Sequence, residues 1–206
     1  MEVIKINNHP ISANTYIAFD EDTKDGVIID PSFYIENAIK EVINEGINIR
    51  AILLTHGHFD HISGVEQVRR MIDVPVYIHE KDADMLTSSD RNQGSSFGID
   101  IVSGPADNIF SDNDTLSFGS ISFKVLHTPG HTEGSVCFLS DDVMFTGDTL
   151  FHMSIGRTDM EGGNYSDILV SLSKLAQIDV DYKVYPGHEQ STSLFYEKDN
   201  NPFLNI

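Results

Sequence analysis

Short apolar runs in the first half of the chain predict strands, and apolar stripes predict helices. Apolar residues recur at the spacing of a helical face from Ser32 to Glu45, and Gly46 marks the end of that helix. The nearly continuous apolar run from Ile49 to Leu54 predicts a buried strand. A second helix is predicted from His61 to Ile72. The remaining strands predicted in this half are Val3 to Asn8, Thr15 to Phe19, Val27 to Asp30 and Val74 to Ile78.

The second half repeats this order of strands and helix. Its helix is predicted from Tyr165 to Ala176, where Ile168, Leu169, Leu172 and Leu175 form the apolar stripe. Its strands are predicted at Thr115 to Phe118, Ser120 to Leu126, Ser135 to Ser140, Val143 to Thr146 and Lys183 to Tyr185. Two sheets with helices on both outer sides follow, which is an αββα four-layer sandwich of the α/β class, built from two similar halves.

The region between the halves has a different composition. Asp84 to Phe110 is rich in Ser, Gly, Asp and Asn, and we expect it to be irregular, with a surface helix near Lys81 to Leu86. No linker or low-complexity tract separates a second domain, so residues 1–206 are expected to form one domain.

Composition narrows the class of protein. Hydrophobic residues make up 40% of the 206 residues, which is enough for a core, and no apolar run approaches the roughly 20 residues of a membrane span. The first residues lack the features of a signal peptide, so a cytoplasmic location is expected. Cys137 is the only cysteine, which excludes an internal disulfide, and it is expected to be a small buried hydrophobe.

The strong acidic balance bears on partners. The chain has 13 basic and 32 acidic residues and a net charge of −19, without a basic run. Such a surface repels phosphate backbones. We therefore expect a small-molecule substrate, with neither nucleic acid nor a membrane as partner.

The run Thr55-His56-Gly57-His58-Phe59-Asp60-His61 directly follows the predicted buried strand and carries four possible metal ligands. Imidazole and carboxylate ligands without sulfur suit zinc, and also iron or manganese. Ligands that alternate this closely indicate two neighbouring ions, with His56 and His58 facing one, and Asp60 and His61 facing the other. A chance cluster or a single structural metal is the alternative, but structural zinc sites are usually closed by cysteines.

Three further candidates occur in one recurring pattern. His131, Asp148 and His188 each follow an apolar run and come directly after a glycine. Glycine permits backbone conformations that other residues resist and allows close approach of chains. Together with the first motif, these residues form a convergent set of seven: His56, His58, Asp60, His61, His131, Asp148 and His188.

This set resembles the Thr-His-x-His-x-Asp-His signature of the metallo-β-lactamase superfamily, and in particular its short glyoxalase II-like hydrolases. The segments that carry the resemblance are Thr55 to His61, Thr128 to Thr132, Gly147 to Phe151, Gly156 to Asp159 and Tyr185 to His188. The resemblance implies two divalent ions, zinc first, with iron or manganese as alternatives. It assigns His56, His58 and His131 to the first ion. It assigns Asp60, His61 and His188 to the second ion, with Asp148 as the bridge.

Two close ions imply a hydrolase. They lower the pKa of a shared water, and the resulting metal-bound hydroxide attacks an acyl carbon, while Asp60 orients the water or accepts its proton. A thioester needs the least further machinery, because a thiolate leaves without protonation. S-lactoylglutathione or a related acyl-thiol is the expected substrate. Glyoxalase II enzymes bind glutathione through a basic C-terminal extension, whereas here Glu189 to Ile206 contains one basic residue, Lys198. Modest affinity for the glutathione part is therefore expected.

Several nearby residues have weaker assignments. His79, His152, Arg157 and Asp159 are candidates for substrate contact or for support of the ligands, and Arg157 and Asp159 are also expected to form a buried or turn-stabilising pair. Met153, Phe59 and Phe151 either line an apolar wall or pack in the core, and His9 is expected in a loop. The alternatives to a thioesterase are a mono-iron persulfide dioxygenase, which would share His56, His131 and Asp148, and a non-catalytic metal-binding protein on the same fold.

Overall fold

The computed structural model describes residues 1–6 and 13–204. His9 and the end of the strand predicted from Val3 to Asn8 lie outside these residues. The helices are α1 (Glu36–Asn44), α2 (Phe59–Ile62), α3 (Val65–Met71), α4 (Tyr165–Ala176) and α5 (Leu194–Asn200). The strands are β1 (Glu2–Ile6), β2 (Thr15–Phe19), β3 (Asp25–Ile29), β4 (Asn48–Leu53), β5 (Val76–His79), β6 (Asn108–Phe110), β7 (Thr115–Phe118), β8 (Ile121–His127), β9 (Val136–Ser140), β10 (Val143–Gly147), β11 (Leu150–Phe151), β12 (Ser154–Ile155), β13 (Lys183–Pro186) and β14 (Thr192–Ser193).

The strands form two large sheets, one from each half. The first sheet has the order β1-β2-β3-β4-β5-β6, antiparallel up to β3 and parallel from β3 to β6. The second has the order β14-β13-β10-β9-β8-β7, in which only the β10–β13 pair is parallel among the described strands. β11 and β12 form a short hairpin after β10.

Three apolar layers explain why the sheets stack. The central layer joins the facing sides of the two sheets, with Tyr16 and Leu53 from the first sheet and Phe123, Phe138 and Phe145 from the second. An outer layer lies between the first sheet and helices α1 and α3. The other outer layer lies between the second sheet and helices α4 and α5. This confirms the predicted αββα sandwich, because each sheet buries both faces.

Two predicted helices have different boundaries. The helix predicted from Ser32 begins at Glu36, because Tyr34 has a φ of 58°, in the left-handed region that a right-handed helix does not contain. The helix predicted from His61 to Ile72 is broken between α2 and α3. The break falls at Gly64, whose N–H donates to the Pro31 carbonyl at 2.8 Å.

The region predicted as irregular is partly ordered into regular elements. It contains β6 and a 3₁₀ helix at Ser95–Phe97, and the predicted surface helix is a 3₁₀ helix at Glu80–Thr87. Short elements of this kind lack a full apolar period, which is why the sequence pattern missed them. None of the helices in the described ranges has the length and apolar character needed to cross a membrane.

Candidate metal centre

The seven predicted ligands converge at one edge of the sandwich. His56, His58, Asp60 and His61 follow β4 in the first sheet, while His131, Asp148 and His188 follow β8, β10 and β13 in the second. Hydrogen bonds hold these strand ends together: the Val136 N–H donates to the Thr55 carbonyl at 2.9 Å, and the Gly187 N–H donates to the Gly147 carbonyl at 2.8 Å. The ligand atoms fall into trios within 4.8 Å of one another: His56, His58 and His131; His56, His61 and Asp148; and Asp60, His61 and His188.

The first trio consists of three buried histidines: His56, His58 and His131. In His56 and His131, a hydrogen bond at one ring nitrogen determines which nitrogen can bind a metal ion. The Thr55 hydroxyl donates to Asp30 Oδ2 at 2.6 Å, so its oxygen can accept from His56 Nδ1 at 3.2 Å. His56 then carries its proton on Nδ1, and its Nε2 has a lone pair available for a metal ion. His131 Nδ1 donates to the Arg157 carbonyl at 2.7 Å, which leaves its Nε2 free in the same way. That Nε2 lies 2.8 Å from His58 Nδ1. These two nitrogens are within hydrogen-bond distance of each other and are close enough to bind one ion together.

We call Asp60, His61 and His188 the second trio, which combines a carboxylate with two histidines. Asp60 Oδ2 lies 3.3 Å from His188 Nε2 and 3.8 Å from His61 Nε2. His61 Nδ1 donates to Asp30 Oδ2 at 2.9 Å, so its Nε2 faces the other donors. Each trio thus takes donors from both sheets.

Asp148 lies between the trios. Its Oδ2 is 3.4 Å from His131 Nε2 of the first trio and 3.4 Å from His188 Nε2 of the second, and its Oδ1 is 3.3 Å from His61 Nε2. Gly187 permits this position, because a Cβ there would lie 2.1 Å from Asp148 Oδ1. The recurring glycine before a ligand therefore serves the close packing of the ligands here.

The donor set fits divalent ions. Six buried side-chain atoms of the described residues have no hydrogen-bond partner: His56 Nε2, His58 Nε2, His61 Nε2, Ser63 Oγ, Gln67 Oε1 and Asp148 Oδ1. Three of them, His56 Nε2, His61 Nε2 and Asp148 Oδ1, belong to the trio of His56, His61 and Asp148. Buried polar atoms are rarely left in that state, and a bound cation would satisfy all three. Nitrogen and oxygen donors without sulfur accept zinc, iron or manganese.

The ionisation states differ between the trios. Burial and the neighbouring His131 lower the pKa of His58 to about 3, so this ring is neutral and ready to coordinate. Burial also disfavours a charge on His188, but the Asp148 carboxylate outweighs it and raises the pKa of His188 to about 10. Burial opposes ionisation of Asp148 as well, yet His188, His61 and His131 hold the pKa of Asp148 well below its usual range. The carboxylates around the second trio therefore favour positive charge at this position.

Two buried carboxylates that the sequence analysis missed support the ligand loops. Asp30 accepts from the Thr55 N–H at 2.8 Å as well as from Thr55 Oγ1 and His61 Nδ1. It has a φ of 49°, in the left-handed region that aspartate tolerates better than most residues. Asp82 joins the two ligand turns, since it accepts from the N–H groups of Gly57 at 3.1 Å and Gly134 at 2.8 Å. A polar residue at the end of a predicted strand was the available signal for Asp30.

A cavity of about 380 Å³ opens next to the donors. This is within the usual range for small-molecule sites. Its lining combines the ligands with apolar side chains and one arginine: His58, Phe59, Asp60, Phe97, Ile99, His131, Asp148, Arg157, Met160 and His188.

The weaker candidates are placed differently. His79 does not reach the donors: its ring stacks on His127 with centroids 4.3 Å apart, and its Nδ1 accepts from the Lys81 N–H. His152 is also outside the cavity lining, and its Nδ1 lies 3.1 Å from the buried Glu197 carboxylate.

Arg157 and Asp159 form the expected pair, but the pair is exposed and not buried. The guanidinium donates to both carboxylate oxygens, at 2.7 and 2.8 Å, and only Arg157 lines the cavity. Cys137 is buried as expected, and burial raises the pKa of its thiol to about 12. Phe59 lines the cavity, whereas Phe151 packs against the His188 ring and Met153 is exposed.

Comparison with known proteins identifies the class. The Metallo-beta-lactamase superfamily profile matches residues 10–188, and the chain belongs to that superfamily. It is 37% identical over 200 residues to the probable metallo-hydrolase YqgX of Bacillus subtilis (strain 168), which covers 95% of this chain and 94% of that protein. It is 34% identical over 190 residues to the hydroxyacylglutathione hydrolase GloC of Haemophilus influenzae, covering 90% of each. The chain is thus a metallo-hydrolase of this superfamily, whose fold implies binding of divalent metal.

Solved structures agree with this class. The BLEG-1 B3 metallo-beta-lactamase has a TM-score of 0.94 at 37% identity, covering 100% of both chains. TTHA1623 in a di-iron-bound form has a TM-score of 0.86 at 32% identity, covering 98% of this chain and 100% of that one. ETHE1 from Myxococcus xanthus has a TM-score of 0.81 at 29% identity, covering 98% of this chain and 84% of that one.

Proposed function

We propose that this protein is a dinuclear metal-dependent hydrolase that acts on a small-molecule thioester. The observation that carries the proposal is the pair of donor trios on either side of Asp148, next to a cavity large enough for a substrate. His56, His58 and His131 would hold one ion, and Asp60, His61 and His188 would hold the other. Divalent ions bound there would supply an activated water and polarise an acyl carbonyl.

The side chains around the donors determine how a reaction could proceed. Burial opposes ionisation of Asp60, but the charges on His61 and His188 outweigh it and keep the pKa of Asp60 below its usual value. Asp60 is therefore ionised, and its carboxylate can orient a water or accept its proton at Oδ2. Among the described residues of the lining, only the proposed metal ligands could transfer a proton to a leaving group, because the guanidinium of Arg157 keeps its proton. A thiolate, which leaves without a proton, suits such a site.

The name of the GloC relative supports S-lactoylglutathione or a related acyl-thiol as the first substrate to test. The cavity offers Arg157 as its one arginine or lysine, and that side chain is paired with Asp159. The chain also has a net charge of −19. We therefore propose modest dependence on the glutathione part, to be tested by comparing kcat/KM for the lactoyl group on glutathione and on a small neutral thiol. A preference for glutathione of about 100-fold or more, which is about 2.7 kcal/mol, would contradict this part of the proposal.

Metal content and a matched pair of variants test the site. We expect two ions per chain by elemental analysis and zinc-, iron- or manganese-dependent thioester hydrolysis. Asp148→Ala removes the group shared by the trios and should reduce activity by orders of magnitude and weaken binding of both ions. His152→Ala, four residues further and outside the lining, is the control and should retain both. Loss of metal in His152→Ala with retention in Asp148→Ala would refute the ligand assignment.

A mono-iron persulfide dioxygenase is the second candidate, supported by the similarity to ETHE1 of Myxococcus xanthus. Such an enzyme would use His56, His131 and Asp148 and would consume oxygen in the presence of a persulfide. Elemental analysis that finds one iron only, even after reloading with zinc or manganese, together with oxygen uptake, would establish this candidate over the hydrolase.

A further inference from the structure

The segment from Asn92 to Ile99 supplies one wall of the cavity. Phe97 and Ile99 come from this segment, and Phe59 and Met160 add two further apolar side chains to the lining. The segment lies in the region that the sequence pattern predicted as irregular. Its position next to the donors indicates a role in substrate recognition.

Buried hydrogen bonds fix this segment in place. Asn92 is fully buried, and its Nδ2 donates to the Met85 carbonyl at 3.1 Å and to the Ile101 carbonyl at 2.8 Å. Its backbone carbonyl accepts from the Phe59 N–H at 3.0 Å, directly within the metal-binding motif. Gly98 ends the 3₁₀ helix with a φ of +71°, a conformation that favours glycine. The wall is therefore tied to the same backbone that carries His58 and Asp60.

Phe97 leaves apolar surface open to solvent at this wall. Its side chain is 56% exposed, although its ring packs on Phe59 with centroids 5.2 Å apart. Phe59 packs in turn on Phe33 at 6.4 Å. A ligand group that covered Phe97 would gain from burying this surface, at little cost in ordering the segment.

The charge of the cavity points the same way. Among the described residues of the lining, Arg157 is the only lysine or arginine, and Asp159 accepts from its Nε and Nη2 at 2.7 and 2.8 Å, which offsets the charge of the guanidinium. Asp60 and Asp148 are the other charged groups besides the histidines, and both face the metal centre. An anionic substrate tail would therefore meet, among the described side chains of the lining, one arginine whose charge is already offset by Asp159.

We propose that the enzyme selects substrates with a neutral apolar group beside the scissile bond, and that Phe97 is the main specificity-determining residue. This inference rests on the proposed thioester hydrolysis and names the substrate class for that site. The apolar group could belong to the acyl part or to the thiol part, and both present the same chemistry to Phe97, Ile99 and Met160.

Two substrate series test the proposal on the metal-loaded protein. One varies the acyl chain from acetyl to octanoyl on N-acetylcysteamine, and the other varies the thiol from ethanethiol to octanethiol with a constant acetyl group. We expect kcat/KM to rise about two- to fourfold per methylene in at least one series until the wall is covered. Phe97→Ala should flatten that rise, and Phe97→Leu should retain part of it. Val102→Ala is the control, since Val102 is 50% exposed but outside the lining.

A binding measurement separates this proposal from the proposed reaction. Ketones in which a methylene replaces the thioester sulfur cannot be hydrolysed, and their Kd, measured by ligand-observed NMR, should fall with chain length in the wild type but not in Phe97→Ala. If no thioester is turned over but this binding trend is present, the proposed thioester hydrolysis is refuted and the proposed role of Phe97 in binding apolar groups is retained. Flat kcat/KM in both series with flat Kd, or an equal rise in Phe97→Ala, would overturn the specificity proposal.

Discussion

Asp30 offers the sharpest test of how the scaffold prepares the metal centre. Its carboxylate accepts three hydrogen bonds, from the Thr55 N–H at 2.8 Å, Thr55 Oγ1 at 2.6 Å and His61 Nδ1 at 2.9 Å. Asp30→Asn keeps the shape but places an NH₂ group where Oδ2 accepts from both Thr55 and His61. The variant therefore loses the partners that orient His61 directly and His56 through Thr55.

The size of the effect follows from these contacts. Two hydrogen bonds to a charged group contribute about 1.5–3 kcal/mol each, so the free energy of unfolding of the metal-free protein should fall by about 3–6 kcal/mol. Groups that orient metal-binding histidines typically change metal affinity by about 10–100-fold, and we expect a loss of that size. The loss should be larger at the second ion, because Asp30 contacts His61, the ligand proposed for that ion, directly.

Zinc affinity measured by competition with a chromophoric chelator, with urea unfolding alongside, is the appropriate assay. Asp25→Asn is the matched control, because Asp25 is also a buried carboxylate but lies at the start of β3, whereas Asp30 directly follows its end; Asp25 is paired with Arg50 at 2.7 Å. It should lower stability without changing zinc affinity. Equal zinc affinity in Asp30→Asn and wild type would refute the argument that this carboxylate orients the ligands.

Two further predictions concern a close approach and a buried histidine. Gly187→Ala would place a Cβ 2.1 Å from Asp148 Oδ1 and should weaken zinc binding more than tenfold in the same chelator assay. Gly46→Ala is the control, because a Cβ at Gly46 would have nothing within 4 Å. It should cost only about 1 kcal/mol of stability and leave zinc binding unchanged. Burial and the neighbouring His127 lower the pKa of His79 to about 4. The unfolded chain therefore takes up this proton first, and stability should fall as pH drops from about 6.5 to about 4. His79→Asn keeps an acceptor for the Lys81 N–H and should reduce the acid-induced loss of stability by about 2 kcal/mol. Urea unfolding at neutral and acidic pH measures this loss, and an unchanged pH dependence would contradict the role given to His79.

The sequence predicted the two sheets, the covering helices and the residues that converge at the sheet edge, because each follows a local pattern. A strand, a glycine and a donor lie within a few residues of one another at His131, Asp148 and His188. When two such halves stack, their strand ends come together, so no long-range sequence pattern is needed to predict that these residues meet.

The supporting parts were missed because their partners are distant in the chain. Asp30 bonds to residues 25 and 31 positions away, and Asp82 bonds to Gly134 across 52 positions. Asn92 stands in a polar stretch whose composition is typical of a loop, and only its burial reveals that it anchors Phe97. Helix α5 was also missed, although Ser193 caps it by accepting from the Tyr196 N–H at 3.3 Å.

The sharing of each donor trio between the two sheets has a consequence for how the molecule can be divided. A cut in the exposed turn at residues 111–114 would yield one fragment with His56, His58, Asp60 and His61, and another with His131, Asp148 and His188. Neither fragment would own a complete trio, so tight metal retention would appear only when both are mixed. An ion at this edge would be a reversible cross-link between the two halves. Its dissociation rate would then determine the lifetime of the reassembled pair of fragments.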